Sequence, residues 1–311
     1  MDFIMITTRS AKGLVWIDLE SPIDDEISQL VRRYDLHPLV GEELKSSPAL
    51  AKIDFYKDYV LVVLTLPVRT RKDKEYEIVD REIDFVVGKD FLITSHSEPI
   101  EQLEYFAKIF ETNAILNKED KLEHSGHLFY YMVMRLYAGM VDDLENIRDA
   151  LISAETRIFK GDEHRMVEVL SSLSRELMDF KQTSRAHREI WEDMLASSGK
   201  NLFGHEFEPY VRDLRDEFNR INELVSNSRE LLAELRETND SLLNTKQNDI
   251  MRTLTIVTFF FYPATFIATL FTIPAASVPL IRSASGWPII LVMMAAVTAL
   301  IWWFLKRRRW M

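Results

Sequence analysis

The sequence contains no cysteine, and glycine supplies only 9 of its 311 residues. Without cysteine the chain forms neither disulfide bonds nor thiolate metal sites. Its few glycines form no phosphate-binding loop and no dinucleotide fingerprint, and the sequence has no nucleophile elbow. His124 and His127 have a spacing that could bind zinc, but no third ligand stands near them in the sequence. We therefore expect a protein that is not an enzyme and has no covalent cofactor.

Acidic residues are missing from the C-terminal part of the chain, because all 49 Asp and Glu lie at or before residue 250. Residues 1–250 carry a formal charge of −17, whereas the last 61 residues carry +6. An acidic body argues against nucleic acid as a partner. Its acidity either keeps the body soluble or attracts cations, and both interpretations remain open.

Charge of either sign is missing from two long stretches, Thr253–Ile281 and Ser283–Leu305. A membrane-spanning helix needs roughly 20 apolar residues. The sequence therefore predicts spans at about 253–271 and 288–305, joined by a loop that is interrupted by prolines. The alternative is a buried helical hairpin in a soluble protein.

A basic cluster follows the second predicted span. By the positive-inside rule it places the C-terminus in the cytoplasm, and two spans then place the N-terminus there as well. The first residues of the chain show no signal-peptide pattern. We therefore expect an integral membrane protein in the lipid bilayer with both termini cytoplasmic. The cluster consists of Lys306, Arg307, Arg308 and Arg309.

Hydroxyl-bearing residues recur along the first predicted span at alternating steps of three and four, which places them on one helix face. Such a stripe gains nothing against lipid, but it solvates a path on a face that lines water. The alternative is that the threonines bond back to their own helix or allow close helix packing. Because two helices cannot enclose a pore, a water-lined path requires an oligomer. The hydroxyl residues of the stripe are Thr255, Thr258, Tyr262, Thr265, Thr269 and Thr272, and Met251 continues the same spacing at its N-terminal end.

Residues 1–115 are predicted to form a cytoplasmic α/β domain. Stretches rich in Val, Ile, Phe and Tyr alternate with helix-like stretches. Helices are predicted at 22–34 and 99–112. Strands are predicted at 3–7, 14–18, 59–66, 83–87 and 91–94.

Residues 116–250 are predicted to be helical, and residues 251–311 to form the transmembrane domain. Three glycines divide the pattern into long helices at roughly 121–160, 163–197 and 206–271. The third helix is a stalk that carries an apolar heptad seam with Ser228 and Asn239 as polar layers. The seam needs a partner, which is either the preceding helices or another copy of the chain, and we expect a mixture. The apolar seam residues are Val211, Leu214, Phe218, Ile221, Val225, Leu232, Leu235 and Leu242.

Several motifs in this architecture resemble the CorA family of divalent-cation channels, and they extend over almost the whole chain. Those of the N-terminal domain are His37-Pro38-Leu39, Glu42-Glu43, Lys52-Ile53-Asp54 and Tyr59-Val60-Leu61-Val62-Val63-Leu64. The start of the stalk is similar in Pro209-Tyr210-Val211-Arg212-Asp213-Leu214. The pore helix is similar in Asn248-Asp249-Ile250-Met251-Arg252-Thr253-Leu254-Thr255 and Tyr262-Pro263-Ala264-Thr265-Phe266-Ile267-Ala268, and the basic ring in 306–310.

The resemblance implies a CorA-like funnel, a homopentamer in a prokaryotic inner or plasma membrane that conducts Mg²⁺ or a related divalent cation. Leu254 and Met251 match the family's hydrophobic constriction, and such rings can gate by dewetting. Asp213 matches an acid of the family's regulatory metal site between subunits, although the corresponding facing stretch, 68–72, is basic here. The pore-lining positions implied are Asn248, Met251, Leu254, Thr258, Tyr262, Thr265 and Thr269.

The predicted mouth departs from the family. Thr272-Ile273-Pro274 stands in place of the family's Gly-Met-Asn, whose Asn side chain holds a hydrated cation. Mg²⁺ sheds water reluctantly, and proline offers no side-chain oxygen to its hydration shell. Three functions follow from these residues. The leading one is transport of Mg²⁺ or a related divalent cation. The others are the same scaffold selective for another metal, a monovalent ion or an anion, and a non-conducting membrane scaffold.

Overall fold

A six-stranded sheet forms the centre of the N-terminal part of the protein. The computed structural model describes residues 5–11, 13–45, 51–72, 75–116, 124–197, 202–270 and 286–307. The strand order is β1-β2-β6-β5-β4-β3, and β2 and β6 are parallel whereas the other neighbours are antiparallel. The strands are β1 (Met5–Ala11), β2 (Leu14–Glu20), β3 (Lys52–Phe55), β4 (Tyr59–Lys72), β5 (Glu75–Gly88) and β6 (Phe91–His96).

Helices cover both faces of this sheet. On one face Ile27 and Val40, from two short helices, join the sheet residues Leu61, Val86 and Ile93 in one apolar core. On the other face, aromatic rings of the sheet meet rings of α3 and α4, as in the edge-to-face contact of Phe85 with Phe129. The helices around the sheet are α1 (Asp24–Arg33), α2 (Pro38–Glu43), α3 (Glu101–Leu116) and α4 (Ser125–Phe159).

The remaining chain is helical. It comprises α5 (Glu163–Thr183), a 3₁₀ turn (Ser184–Ala186), α6 (His187–Ala196), a second turn (His205–Phe207), α7 (Glu208–Leu270) and α8 (Gly286–Arg307). Gly161 and Gly204 have φ of 96° and 71°, a backbone conformation that favours glycine at these breaks. The chain divides into two compact units, Met1–Glu237 and Thr238–Met311, and α7 contributes residues to both.

The prediction of one helix over 163–197 is wrong, because a 3₁₀ turn interrupts it at 184–186. Hydroxyl side chains there compete with the helical backbone. Thr183 donates to Asp80 of β5 at 2.5 Å, and Ser184 donates to the carbonyl of Phe180 at 2.8 Å. The turn thereby holds this segment against the sheet.

The predicted seam of α7 is buried within a single chain as far as its polar layer Asn239, and Leu242 is half-buried. Phe218 packs against Tyr137 of α4 and His187 of α6, with ring centroids 5.9 Å and 5.3 Å away. Arg236 donates to the carbonyl of Leu170 on α5. Helices of the same chain therefore supply the partner that the seam requires over this stretch.

His187 lies at the centre of a buried hydrogen-bond chain. Trp191 Nε1 donates to the Tyr137 hydroxyl at 2.8 Å, and that hydroxyl lies 3.0 Å from His187 Nδ1. His187 Nε2 lies 3.0 Å from the carbonyl oxygen of Thr65, so this nitrogen carries the ring proton. Complete burial lowers the pKa of His187 to about 4, because a charged ring is not solvated there.

Acid should therefore destabilise the folded protein through His187. The ring stays neutral when folded but takes up a proton near pH 6.5 when unfolded, so its contribution is lost as the pH falls from about 6.5 to 4. The loss approaches about 3 kcal/mol at the lower limit. Chemical unfolding of the full-length protein, followed by circular dichroism at pH 7 and 4.5, should show this loss. It should be reduced in His187→Gln and retained in the variant of an exposed histidine, His164→Gln; equal pH dependence in both variants would contradict it.

Candidate pore helix and ion pathway

Two described helices are long and apolar enough to cross a membrane, namely the one that ends at Leu270 and the one over Trp287–Phe304. Both lie at the predicted spans. In the first, the side chains of Thr258, Tyr262, Thr265 and Thr269 are exposed on one face of α7, as their spacing predicts.

The threonine hydroxyls of this face bond back to their own helix. Thr255, Thr258 and Thr265 each donate to the carbonyl four residues earlier, at 2.8, 2.9 and 2.9 Å. The Thr269 hydroxyl lies 2.9 Å from the carbonyl oxygen of Phe266 and 3.0 Å from that of Thr265. This is the back-bonding that the sequence left open as an alternative. It does not exclude a water-lined face, because a hydroxyl that donates its only proton still has an oxygen that accepts. The hydroxyl oxygens of such a stripe can therefore accept hydrogen bonds from water.

The opposite face of the same helix is half-buried. Ile256, Phe260, Ala264 and Ile267 lie on the far side from the hydroxyl stripe. Half-buried residues on α8 also share one face, namely Ile290, Met294, Val297 and Ile301. Within this unit the back of the first membrane helix is therefore less exposed than the face that carries Thr258, Tyr262, Thr265 and Thr269.

Two apolar residues of α7, Met251 and Leu254, lie at the N-terminal end of the hydroxyl stripe. Met251 and Leu254 are 55% and 57% exposed, and Asn248 one turn earlier is also exposed. Apolar side chains at this position are covered either by lipid or by other copies of the same helix.

Part of the predicted pathway lies outside the described residues. This applies to Thr272, Ile273 and Pro274 at the mouth and to Arg308 and Arg309 of the basic cluster. The described part of the cluster contacts indole rings: Lys306 Nζ lies 4.9 Å from the ring centre of Trp302, and Arg307 lies 5.3 Å from that of Trp303. Such pairs are typical of a membrane–water interface.

The candidate regulatory acid, Asp213, is held by a tyrosine. The hydroxyl of Tyr130 on α4 donates to Asp213 Oδ2 at 2.5 Å. Burial, reinforced by the hydrogen bond to Asp213, raises the pKa of Tyr130, so it remains a donor. No three His, Asp or Glu side chains converge on a metal position in the described ranges. His124 instead caps α4, where its Nδ1 accepts from the amide of Gly126.

The chain matches a known family along nearly its whole length. The family model described as "CorA-like Mg2+ transporter protein" matches residues 11–307. The chain belongs to this family. Among its relatives, the Cobalt/magnesium transport protein CorA of Thermotoga maritima is 23% identical over 308 residues, covering 97% of this chain and 85% of the relative. The protein of the same name from Methanocaldococcus jannaschii is 21% identical, with coverage of 96% and 91%.

The fold of this CorA-family chain agrees with a solved structure. The complete structure of the CorA magnesium transporter from Methanocaldococcus jannaschii has a TM-score of 0.81 and 19% sequence identity. The match covers 96% of this chain and 92% of that one. The predicted architecture, an α/β domain followed by long helices and two C-terminal spans, is thereby confirmed.

In this CorA-family chain the basic stretch 68–72 is engaged with acids of its own chain. Arg69 Nε lies 2.7 Å from Glu176 Oε2, and the Arg69 amide donates to Asp143 Oδ2 at 2.9 Å. The guanidinium also lies 3.8 Å from the ring centre of Tyr76. Sequence patterns carry no signal for these partners, nor for Tyr130 beside Asp213, because they lie far apart along the chain.

Removal of Arg69 alone should strongly destabilise the body of the protein. The side chains of Arg69 and Glu176 are only 9% and 5% exposed, so Arg69→Ala leaves a buried carboxylate without its partner. We expect a loss of about 3–5 kcal/mol in the free energy of unfolding. The double variant Arg69→Met with Glu176→Leu should recover most of it. Thermal and chemical unfolding of the full-length protein check this, and equal losses in both variants would contradict the account.

Proposed function

We propose that this protein conducts Mg²⁺ or a related divalent cation across a membrane, through a path lined by the first membrane helix of several copies. Family membership supports the transport of a divalent cation, because the matched relatives are named as cobalt/magnesium transport proteins. The residues that carry the proposal are Asn248, Met251, Leu254, Thr255, Thr258, Tyr262, Thr265, Thr269 and Thr272.

The single observation that carries the proposal is the open stripe of back-bonded threonines. At Thr258 and Thr265 the hydroxyl proton is donated to the helix backbone, so the hydroxyl oxygen of an exposed side chain remains as an acceptor. Acceptors stabilise a cation or the outward-pointing hydrogens of its water shell, and they repel an anion. The stripe therefore supports a cation path over an anion path.

Exposed residues of the same helix support an assembly of several copies. In a single copy the hydroxyl stripe and the apolar residues Met251 and Leu254 are exposed. If several copies place this face around a common axis, the hydroxyls line a path and the apolar residues face one another. The family resemblance supports five copies. Met251 and Leu254 then form the narrow apolar constriction, and the basic residues 306–309 form a ring on the cytoplasmic side, with both termini in the cytoplasm.

Two further assignments belong to this proposal. The mouth residues Thr272, Ile273 and Pro274 lack the side-chain amide oxygen of the family's Asn, so selectivity at the mouth depends on hydroxyl and backbone oxygens. Asp213 is available to a regulatory cation between copies, with Tyr130 orienting its carboxylate. The protein performs no catalysis in this proposal, and its cation is substrate or regulator.

Ion flux into proteoliposomes tests the proposal directly. The full-length protein is reconstituted, and uptake of Mg²⁺, Zn²⁺, Na⁺ and Cl⁻ is compared. We expect uptake of Mg²⁺ or Zn²⁺ to exceed that of Na⁺ and Cl⁻. Dominant Cl⁻ or Na⁺ flux would favour the altered-selectivity alternative, and no flux of any ion would favour a non-conducting scaffold.

Cysteine labelling should locate the water-lined face. The native chain has no cysteine, so Thr258→Cys and Thr265→Cys each introduce a single reactive group. A water-lined path predicts fast reaction of both with a charged, membrane-impermeant thiol reagent, and protection by Mg²⁺. Leu291→Cys, at an exposed position of α8, is the control for a lipid-facing site. Equal labelling rates at all three positions would contradict the assigned face.

A further inference from the structure

A polar cleft of about 230 Å³ lies over β5 and the ends of β2 and β6, beside the end of α2. It is part of the α/β domain and contains no residue of the proposed pathway. Its walls are mostly hydroxyl and charged side chains, including Ser21, Lys45, Glu82, Asp84, Ser95 and Ser97.

Asp84 is the deepest acid of this cleft. Asp84 is 4% exposed, and its Oδ1 atom has no hydrogen-bond partner among the described residues. The sheet register places it directly between Val63 of β4 and Ser95 of β6. Buried carboxylate oxygens are normally paired, because desolvation without a partner is costly. The position therefore points to a ligand that the chain itself does not supply.

The charges around Asp84 favour a positive ligand. Burial raises the pKa of Asp84 to about 8, and the nearby carboxylates of Glu82 and Glu43 reinforce the shift. Lys52, whose charge opposes this shift, lies 2.6 Å from Glu43 Oε1 and is therefore shared with another acid. On the α2 side, Lys45 Nζ lies 3.3 Å from carboxylate oxygens of both Asp24 and Glu42.

The donor set selects the kind of cation. Two carboxylates and several hydroxyls are hard oxygen ligands, which suit Mg²⁺, Ca²⁺ or Mn²⁺. Within the described residues no three His, Asp or Glu converge to chelate a bare ion. Mg²⁺ characteristically keeps several waters and binds through one or two carboxylates. Since a water molecule takes about 30 Å³, the cleft has room for an ion with its water shell.

We propose that this cleft is a binding site for a hydrated divalent cation, with Asp84 as its principal ligand and Glu82 accepting from the bound waters. Ser95 and Ser97 line the site and offer hydroxyl oxygens to the same shell. The site takes its cation from the solution around the α/β domain, and its occupancy does not require transport.

Mn²⁺ is the probe, because its paramagnetism reports binding and its anomalous scattering reports position. Full-length protein is titrated with Mn²⁺, and free Mn²⁺ is followed by electron paramagnetic resonance. Asp84→Asn should bind about one Mn²⁺ fewer per chain than the native protein, and Glu82→Gln should bind the same ion more weakly. Asp58→Asn, the same substitution at an exposed turn before β4, should match the native protein.

Anomalous diffraction from Mn²⁺-soaked crystals of the full-length protein gives the second measurement. A peak beside Asp84 that disappears in Asp84→Asn is the expected result. Equal Mn²⁺ binding by Asp84→Asn and Asp58→Asn, or the absence of a peak in the cleft, would overturn the proposal and leave Asp84 as a neutral buried acid. Either result is separate from the flux measurements, because flux depends on other residues.

Discussion

Replacement of both Thr258 and Thr265 by valine should lower Mg²⁺ flux by about tenfold to a hundredfold. Valine has nearly the shape of threonine but lacks the outward-facing oxygen. Each ring of threonines that loses its acceptors forfeits about 0.5–1.5 kcal/mol of hydrogen bonding to the passing ion's water shell. Two rings together give the expected range. Initial Mg²⁺ uptake in proteoliposomes, normalised to reconstituted protein, measures it.

The second membrane helix offers a matched control for this experiment. Thr298 also donates to the carbonyl four residues earlier, that of Met294, at 2.8 Å. It is half-buried on α8 and lies outside the proposed path. Thr298→Val should therefore leave flux within about twofold of the native value, because the substitution keeps the shape of the side chain and removes no group of the path. An equal loss of flux from this variant would show that hydroxyl removal acts through helix packing.

Restoration of the family's mouth sequence should raise the apparent affinity for Mg²⁺ by about tenfold. Exchange of Thr272-Ile273-Pro274 for Gly-Met-Asn adds an amide oxygen that accepts from the hydration shell of the ion, and one such charge-assisted bond contributes about 1.5 kcal/mol. The concentration dependence of Mg²⁺ uptake, with Na⁺ as competitor, measures the change.

A partial exchange separates the amide from the backbone. The variant Gly-Met-Pro carries the first two substitutions and keeps Pro274, so it changes the turn without adding the amide. Its apparent affinity should stay near the native value. If the Gly-Met-Asn variant also transports Mg²⁺ with unchanged affinity, the mouth does not set selectivity in this protein.

Most elements of the fold could be predicted from hydrophobic patterning. The strands around residues 14–18, 59–66, 83–87 and 91–94 are present, because each holds a run of buried apolar residues. β3 was missed, since two of its four residues, Lys52 and Asp54, are charged. β4 and β5 also extend well beyond their predicted bounds, as a ribbon whose outer part is polar.

The candidate pathway could be predicted only as a face of one helix. Spacing alone places Thr258 and Thr265 together, but it does not reveal where their protons go. The sequence was equally silent on the α/β domain's own contacts. Asp84 stands in a strand-like stretch of the sequence, and its burial beside Ser95 depends on a register that only the folded sheet defines.

The back-bonded threonines also bear on the entropy of ion binding. A free hydroxyl side chain rotates among several positions, and a ligand that needs one of them must pay to fix it. Here each side chain is already tied to a carbonyl of its own helix, so its oxygen keeps one direction whether an ion is present or not. In the proposed path such a lining is preorganised, and a cation that enters meets oriented oxygens without the ordering cost that binding to free hydroxyls carries.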